Sequence, residues 1–254
     1  MIKSLLSFIA ILFFCTALKA QENYEIQVYG SGTTDKGHTM VELHSNFTTN
    51  GSKVISDGQL PTNHVFHETI EITHGWTTWF ETGFYIFNTV GSDGRSAYVG
   101  SHIRPRVAAP DEWHWPVGVS ISTEFGFQKS AYSGSTCSLE IRPIIDKKWG
   151  GLYVSFNPTV EKSYAGEDSD IGLTFSPNLK AAYDVSKIVA LGIEYYGNTG
   201  RFFHYAPIQQ EEHQLFIATD LSFSANWEFN AGYGWGLTHT GDSGIFKVIL
   251  GKRF

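Results

Sequence analysis

The tripeptide His44-Ser45-Asn46 comes nearest to a catalytic motif in this sequence. A histidine activates a serine only when a ring nitrogen reaches the hydroxyl at ~3 Å. Here no residue separates the two, and neighbouring side chains of a strand point to opposite faces of its sheet. The sequence therefore predicts no serine–histidine pair, and we do not expect an enzyme.

Residues that could bind a metal are scattered along the chain. The ten histidines include no His-x-His pair, and Cys137 is the only cysteine beyond residue 20. Zinc and iron sites need three or four such ligands at close spacing. The sequence therefore predicts no metal site, no cofactor and no intrachain disulfide.

Charged residues at alternate positions are a more informative pattern. His102, Arg104 and Arg106 would share one face of a strand, because alternate side chains do so. Such groups either pair in a salt-bridge network that fills a narrow interior, or line a constriction that selects small solutes. The candidates are Glu42, His44, Glu71, Glu81, His102, Arg104, Arg106, Glu124, Glu140 and Arg142.

Runs of alternating residues separated by turn signals are the elements that must position these groups. No segment has a helical pattern, so these runs predict an all-β protein. Their number and turns predict an antiparallel up-and-down transmembrane β-barrel of about twelve strands, with ten or fourteen strands as alternatives. The runs are 38–49, 64–74, 78–90, 96–108, 116–128, 135–146, 151–163, 170–183, 187–197, 211–224, 226–238 and 244–254.

Short and long connections alternate between these runs, which predicts that both termini of the chain lie on the side of the short turns. Six of the seven tryptophans fall at the short connections. Indole rings favour the boundary between lipid and water, so we expect a membrane-interface girdle there. Its members are Trp76, Trp79, Trp113, Trp115, Trp149 and Trp227.

The two ends of the chain predict its compartment. Residues 1–20 have the pattern of a signal peptide cleaved near Ala20, and Phe14 before Cys15 argues against a lipoprotein. The last strand ends on Phe254 and resembles the C-terminal assembly signal of bacterial outer-membrane barrels. That resemblance implies the outer membrane of a Gram-negative bacterium, its lipids and its barrel-assembly machinery as surroundings. We divide the chain into 1–20, a lead-in at 21–37, and a barrel at 38–254.

Composition agrees with this assignment. The net charge of −7 argues against nucleic acid as a partner. The mean hydropathy of −0.14 is compatible with a membrane barrel, because polar interior residues dilute the lipid-facing ones.

Three segments suggest a family. Residues 65–85, with the turn His74-Gly75-Trp76-Thr77, together with Glu140-Ile141-Arg142-Pro143 and Phe156-Asn157-Pro158, resemble outer-membrane barrels of the "MetA-pathway of phenol degradation" group. The resemblance implies a transport role, with small aromatic or apolar compounds as the solute class. No catalytic residue carries over.

The sequence is compatible with three functions. The first is a passive channel or transporter for small solutes. The second is a structural or binding barrel whose interior is plugged by salt bridges. The third is a barrel lipid hydrolase related to outer-membrane phospholipase A, which the spacing of His44 and Ser45 disfavours.

Overall fold

The computed structural model describes residues 23–254 as a closed antiparallel barrel of twelve strands. The predicted signal peptide and Cys15 lie outside the described residues. The strands are β1 (Thr39–Asn50), β2 (Phe66–Gly75), β3 (Phe80–Val90), β4 (Ser96–Ala108), β5 (Gly118–Gln128), β6 (Ser135–Trp149), β7 (Leu152–Gly166), β8 (Leu173–Asp184), β9 (Val189–Asn198), β10 (Glu212–Leu221), β11 (Trp227–Gly236) and β12 (Gly244–Arg253).

The predicted fold class and strand count are confirmed, and most strand bounds differ from the prediction by only a few residues. The main difference is that β6 and β7 continue pairing until Trp149 faces Leu152. The two residues between them are glycines, and Gly150 has a φ of +57°. Such a two-residue turn lets the strands run to their full length.

The barrel closes by pairing its last strand with its first. Phe246 on β12 faces Phe47 on β1, and the register is regular from there to Arg253 and Met40. The backbone amides of Thr39 and Phe254 donate to each other's carbonyl oxygens at 3.1 and 2.9 Å. Closure leaves no sheet edge with unpaired backbone groups. A sheet in lipid must have no such edge, because no water is present to satisfy those groups.

Connections of two lengths distinguish the two ends of the barrel. The short ones, such as 150–151 and 185–188, lie at the end that also holds Thr39 and Phe254. The long ones, such as 51–65 and 199–211, lie at the opposite end. We call these the inner end and the outer end. The segment 109–117 is a longer inner connection with a short 3₁₀ turn at Asp111–Trp113.

The two faces of the sheet differ as alternation requires. Outward residues such as Phe125 and Ile217 are about half exposed, whereas inward residues such as Arg104 are buried. Gly234 on β11 leaves room inside, since a Cβ there would lie 2.4 Å from the ring of Phe216. Among residues 23–254, no helix is long and apolar enough to span a membrane.

Candidate functional site

A segment of the chain runs through the barrel interior before the first strand begins. Residues 23–38, which we call the lumen segment, form neither a helix nor a strand. At the outer end, Asn23 donates to Asp242 in the connection between β11 and β12. At the inner end, the backbone amide of Thr34 donates to Glu81 at 2.6 Å. The segment therefore crosses the interior from the outer end to the inner end.

Side chains of the barrel wall bind the backbone of this segment. Thr69 on β2 donates to the carbonyl of Tyr24 at 2.6 Å, and Lys247 on β12 donates to that of Ile26 at 3.1 Å. On β7, Ser155 donates to the carbonyl of Tyr29 at 2.6 Å. An extended chain leaves its amides and carbonyls unpaired, so a buried one needs such partners. The polar interior supplies them.

Tyr29 is the centre of the segment's contacts. Its ring lies within cation–π distance of three guanidinium carbons, those of Arg104, Arg106 and Arg142, at 5.2, 5.9 and 4.9 Å. Its hydroxyl donates to Glu25 and lies 3.1 Å from the hydroxyl of Tyr85. One aromatic side chain of the segment thus contacts three arginines, which also pair with four carboxylates, Glu25, Glu71, Glu81 and Glu140.

The first charged network joins β2, β3 and β4. Arg104 donates to Glu71 at 2.6 Å, to Glu81 at 3.0 Å and to the hydroxyl of Tyr85 at 2.5 Å. Arg106 pairs with the same Glu81 at 2.7 Å and donates to the carbonyls of Gly30 and Gly32 on the lumen segment. All of these charged side chains are buried. Buried ions of this kind are stable only when paired and hydrogen-bonded.

Two smaller groups complete this wall. Arg142 pairs with Glu25 of the lumen segment at 3.0 Å and with Glu140 at 2.7 Å. His102 contacts Glu124 at 2.5 Å. The lumen segment therefore belongs to the interior charge network through its own carboxylate.

A second charged network lies across the interior. Lys247 is fully buried and pairs with Glu194, whose carboxylate also accepts from Tyr196 at 2.7 Å. Lys180 pairs with Glu194 at 3.2 Å and with Asp220 at 2.8 Å. These residues come from β8, β9, β10 and β12. None of them is among the ten candidates chosen from the sequence.

Two cavities lined by residues 23–254 are separated by filled space in the barrel interior. The outer cavity has a volume of about 1010 Å³ and the inner cavity one of about 510 Å³, and they share no lining residue. Between them lie fully buried side chains of the wall and the segment, including Ile26, Tyr85, Arg104 and Phe216. Among residues 23–254, these side chains fill interior space between the two cavities.

The predicted interior residues all point inward. Nine of the ten are buried, and Glu140 is partly exposed to the outer cavity. The structure brings Glu71, Glu81, Arg104 and Arg106 into one network. Glu42 and His44 lie beside this network, next to Glu71. The six tryptophans lie exposed at or beside the inner connections, and Phe254 is exposed beside them.

His44 and Ser45 lie on opposite faces of β1, as predicted. The ring of His44 is buried inside the barrel, whereas the Ser45 hydroxyl donates to Glu68 at 2.7 Å on the outer face. A base and a nucleophile on opposite faces cannot share a proton.

Sequence reasoning missed the lumen segment, which it treated as a lead-in. The available signal was the run from Tyr24 to Tyr29, whose residues alternate as in a strand. The twelve strands already close the barrel, so this run has no place in its wall. Alternation indicates an extended chain but not what the chain pairs with.

Comparisons with known proteins concern the fold. No protein-family model matches the chain, and no curated protein sequence matches it either. Among solved structures, the KdgM porin in complex with disordered oligogalacturonate superposes with a TM-score of 0.53 at 11% identity, covering 85% of this chain and 99% of that one. The NanC porin gives 0.52 at 8% identity, covering 83% and 97%. The chain thus has the porin barrel fold, and the resemblance to the phenol-degradation group stays a hypothesis.

Proposed function

We propose that the protein is a passive channel for small hydrophilic solutes in the outer membrane of a Gram-negative bacterium, closed by its own lumen segment. The observation that carries the proposal is the pair of cavities, one open toward each end, separated where residues 23–38 fill the interior. The apolar outer face and the porin fold support the membrane setting.

The walls of the outer cavity favour polar solutes. Serine is the most frequent lining residue, and carboxyl groups outnumber arginines eight to two. The aromatic surfaces facing the cavity are few: Tyr24, Phe87 and Tyr132. A solute held there would meet hydrogen-bonding groups between patches of apolar surface. This composition favours hydrophilic compounds over the aromatic or apolar ones that the family resemblance suggests.

The excess of carboxyl groups in the outer cavity also predicts the charge of the solutes. The KdgM structure contains an oligogalacturonate, a polyanion. In this chain the carboxyl groups of the outer cavity would repel such a sugar and attract cations. We therefore propose neutral or cationic solutes.

Planar-bilayer conductance of the refolded protein tests the channel. The control pair is the complete mature chain and a variant lacking residues 23–33, each checked for β-structure and heat-modifiable gel mobility. We expect the complete chain to open rarely and the variant to show a stable conducting level, because removing the segment joins the two cavities. No conducting level in either protein, with no swelling of liposomes in sugar solutions, would refute the channel.

The second candidate function is a structural barrel with a plugged interior. The buried charge networks between the cavities favour it, since they bind the segment from several strands. The same conductance experiment distinguishes the two functions. If the variant lacking residues 23–33 conducts but the complete chain never opens at any voltage or salt concentration, the structural barrel is supported.

A further inference from the structure

Three side chains at about mid-height in the barrel interior form a group that the charge networks do not use fully. Glu42 and His44 lie two residues apart on the inward face of β1, and Glu71 on β2 is directly opposite Glu42. One ligand atom from each can be chosen so that all three lie within 4.8 Å of one another. The adjacent strands therefore bring two carboxylates and an imidazole to one point.

The hydrogen-bonding capacity of this group is unmet. His44 is fully buried, and neither of its ring nitrogens has a hydrogen-bond partner. Its Nε2 lies 3.4 Å from Oε2 of Glu71, which is also buried and lacks a hydrogen bond. A buried polar atom without a partner costs about 1–3 kcal/mol. Several such atoms pointing at one another indicate a missing ligand.

The charges at this point indicate a cation. Glu42 and Glu71 face each other across a strand pair, where like charges repel. Arg104 compensates only one side, because it donates to Oε1 of Glu71 and is otherwise engaged with Glu81 and Tyr85. Among residues 23–254, no arginine or lysine forms an ion pair with Oε2 of Glu71, which faces only His44, or with the carboxylate of Glu42. A divalent ion would neutralise both.

The donor set selects the kind of ion. Magnesium and calcium prefer oxygen ligands alone, whereas an imidazole nitrogen with carboxylates suits zinc and neighbouring transition metals. We propose that Glu42, His44 and Glu71 bind a divalent transition-metal ion of the zinc class. Modest side-chain rotations close the three atoms around it, and water completes the coordination.

The inner cavity gives the ion a route to the site. Glu42 lies beside Glu228, since the two flank Gly251, and Glu228 lines the inner cavity. Ile249, the β12 residue facing His44, lines the same cavity. None of the three ligands lines that cavity, so an ion enters only when neighbouring side chains such as Glu228 and Ile249 move aside. The site is independent of whether the barrel conducts solutes.

Metal binding to the complete protein tests the proposal. Refolded protein is stripped with a chelator and titrated with Zn²⁺ by calorimetry, and with Co²⁺ while its visible absorption is followed. We expect one ion per chain and a cobalt spectrum with nitrogen–oxygen coordination. His44→Gln and Glu42→Gln should each weaken Zn²⁺ binding by at least tenfold, whereas His204→Gln, at an exposed loop histidine, should leave it unchanged.

Two results would overturn the site. One is stripped wild-type protein that binds no Zn²⁺, and the other is Zn²⁺ binding that survives both His44→Gln and Glu42→Gln. If those variants do not fold, X-ray absorption of the zinc-loaded wild type decides. One imidazole with oxygen ligands would support the proposal, and a shell without imidazole or with several would refute it.

Discussion

Tyr29 shows how single residues hold the interior closed. Its ring lies against three arginines, its hydroxyl donates to Glu25, and its backbone binds Ser155 and Asn157 on β7. Each of these contacts exists only while the lumen segment is in place. The stability of the closed state over an open one therefore depends on this residue more than on its neighbours.

We expect Tyr29→Leu to raise the open probability of the channel. Losing the cation–π contacts and the hydroxyl bond should weaken the closed state by about 2 kcal/mol, which is roughly a thirtyfold change in the closed-to-open ratio. Single-channel recording measures it. Tyr164→Leu, at an outward and exposed tyrosine of β7, is the matched control. An unchanged open probability would mean that the segment is not the gate.

The strands are amphipathic elements that separate lipid from a charged interior. On β9, Ile193 points outward and is about half exposed, while Glu194 beside it is buried against Lys247. Ile193 faces Ile217 on β10 and Ala181 on β8, so its surroundings are apolar on both sides. Leu191 is instead level with Tyr183, nearer the inner boundary. The depth of an outward residue thus follows from its cross-strand partners.

Substituting arginine at the two depths tests this placement. Ile193→Arg should destabilise the folded barrel in lipid by about 2–4 kcal/mol, because a charge at mid-membrane is costly. Val185→Arg, in the inner turn between β8 and β9, should cost no more than about 1 kcal/mol. Urea unfolding titrations in vesicles give both values. Equal costs would show that the membrane band is placed wrongly.

At the scale of the whole molecule, the outer cavity determines which solutes can approach the lumen segment. Its lining is rich in carboxyl groups, and low-dielectric walls around such a mouth concentrate cations. The tryptophans and Phe254 fix the opposite end, which we propose lies at the periplasmic boundary where the assembly machinery reads the last strand. The molecule is therefore asymmetric along its axis.

We predict that the open barrel, obtained by removing residues 23–33, selects cations over chloride. The reversal potential in a KCl gradient measures the preference, which should fall as salt rises because screening shortens the reach of the charges. Glu161→Gln combined with Glu124→Gln should reduce the selectivity, since both line the outer cavity. Glu167→Gln, at an exposed residue outside that lining, should not. Anion selectivity would contradict the proposed solute class.

The sequence by itself determined the twelve strands, their faces and the inward position of the ten charged candidates. These features follow from the two-residue period of a strand, which is local and can be read directly. The tertiary structure decided where residues 23–38 lie and that they cross the barrel interior. It also decided that Glu42, His44 and Glu71 converge. Contacts such as Glu25 with Arg142, 117 residues apart, depend on barrel closure and pairing register, which no local pattern encodes.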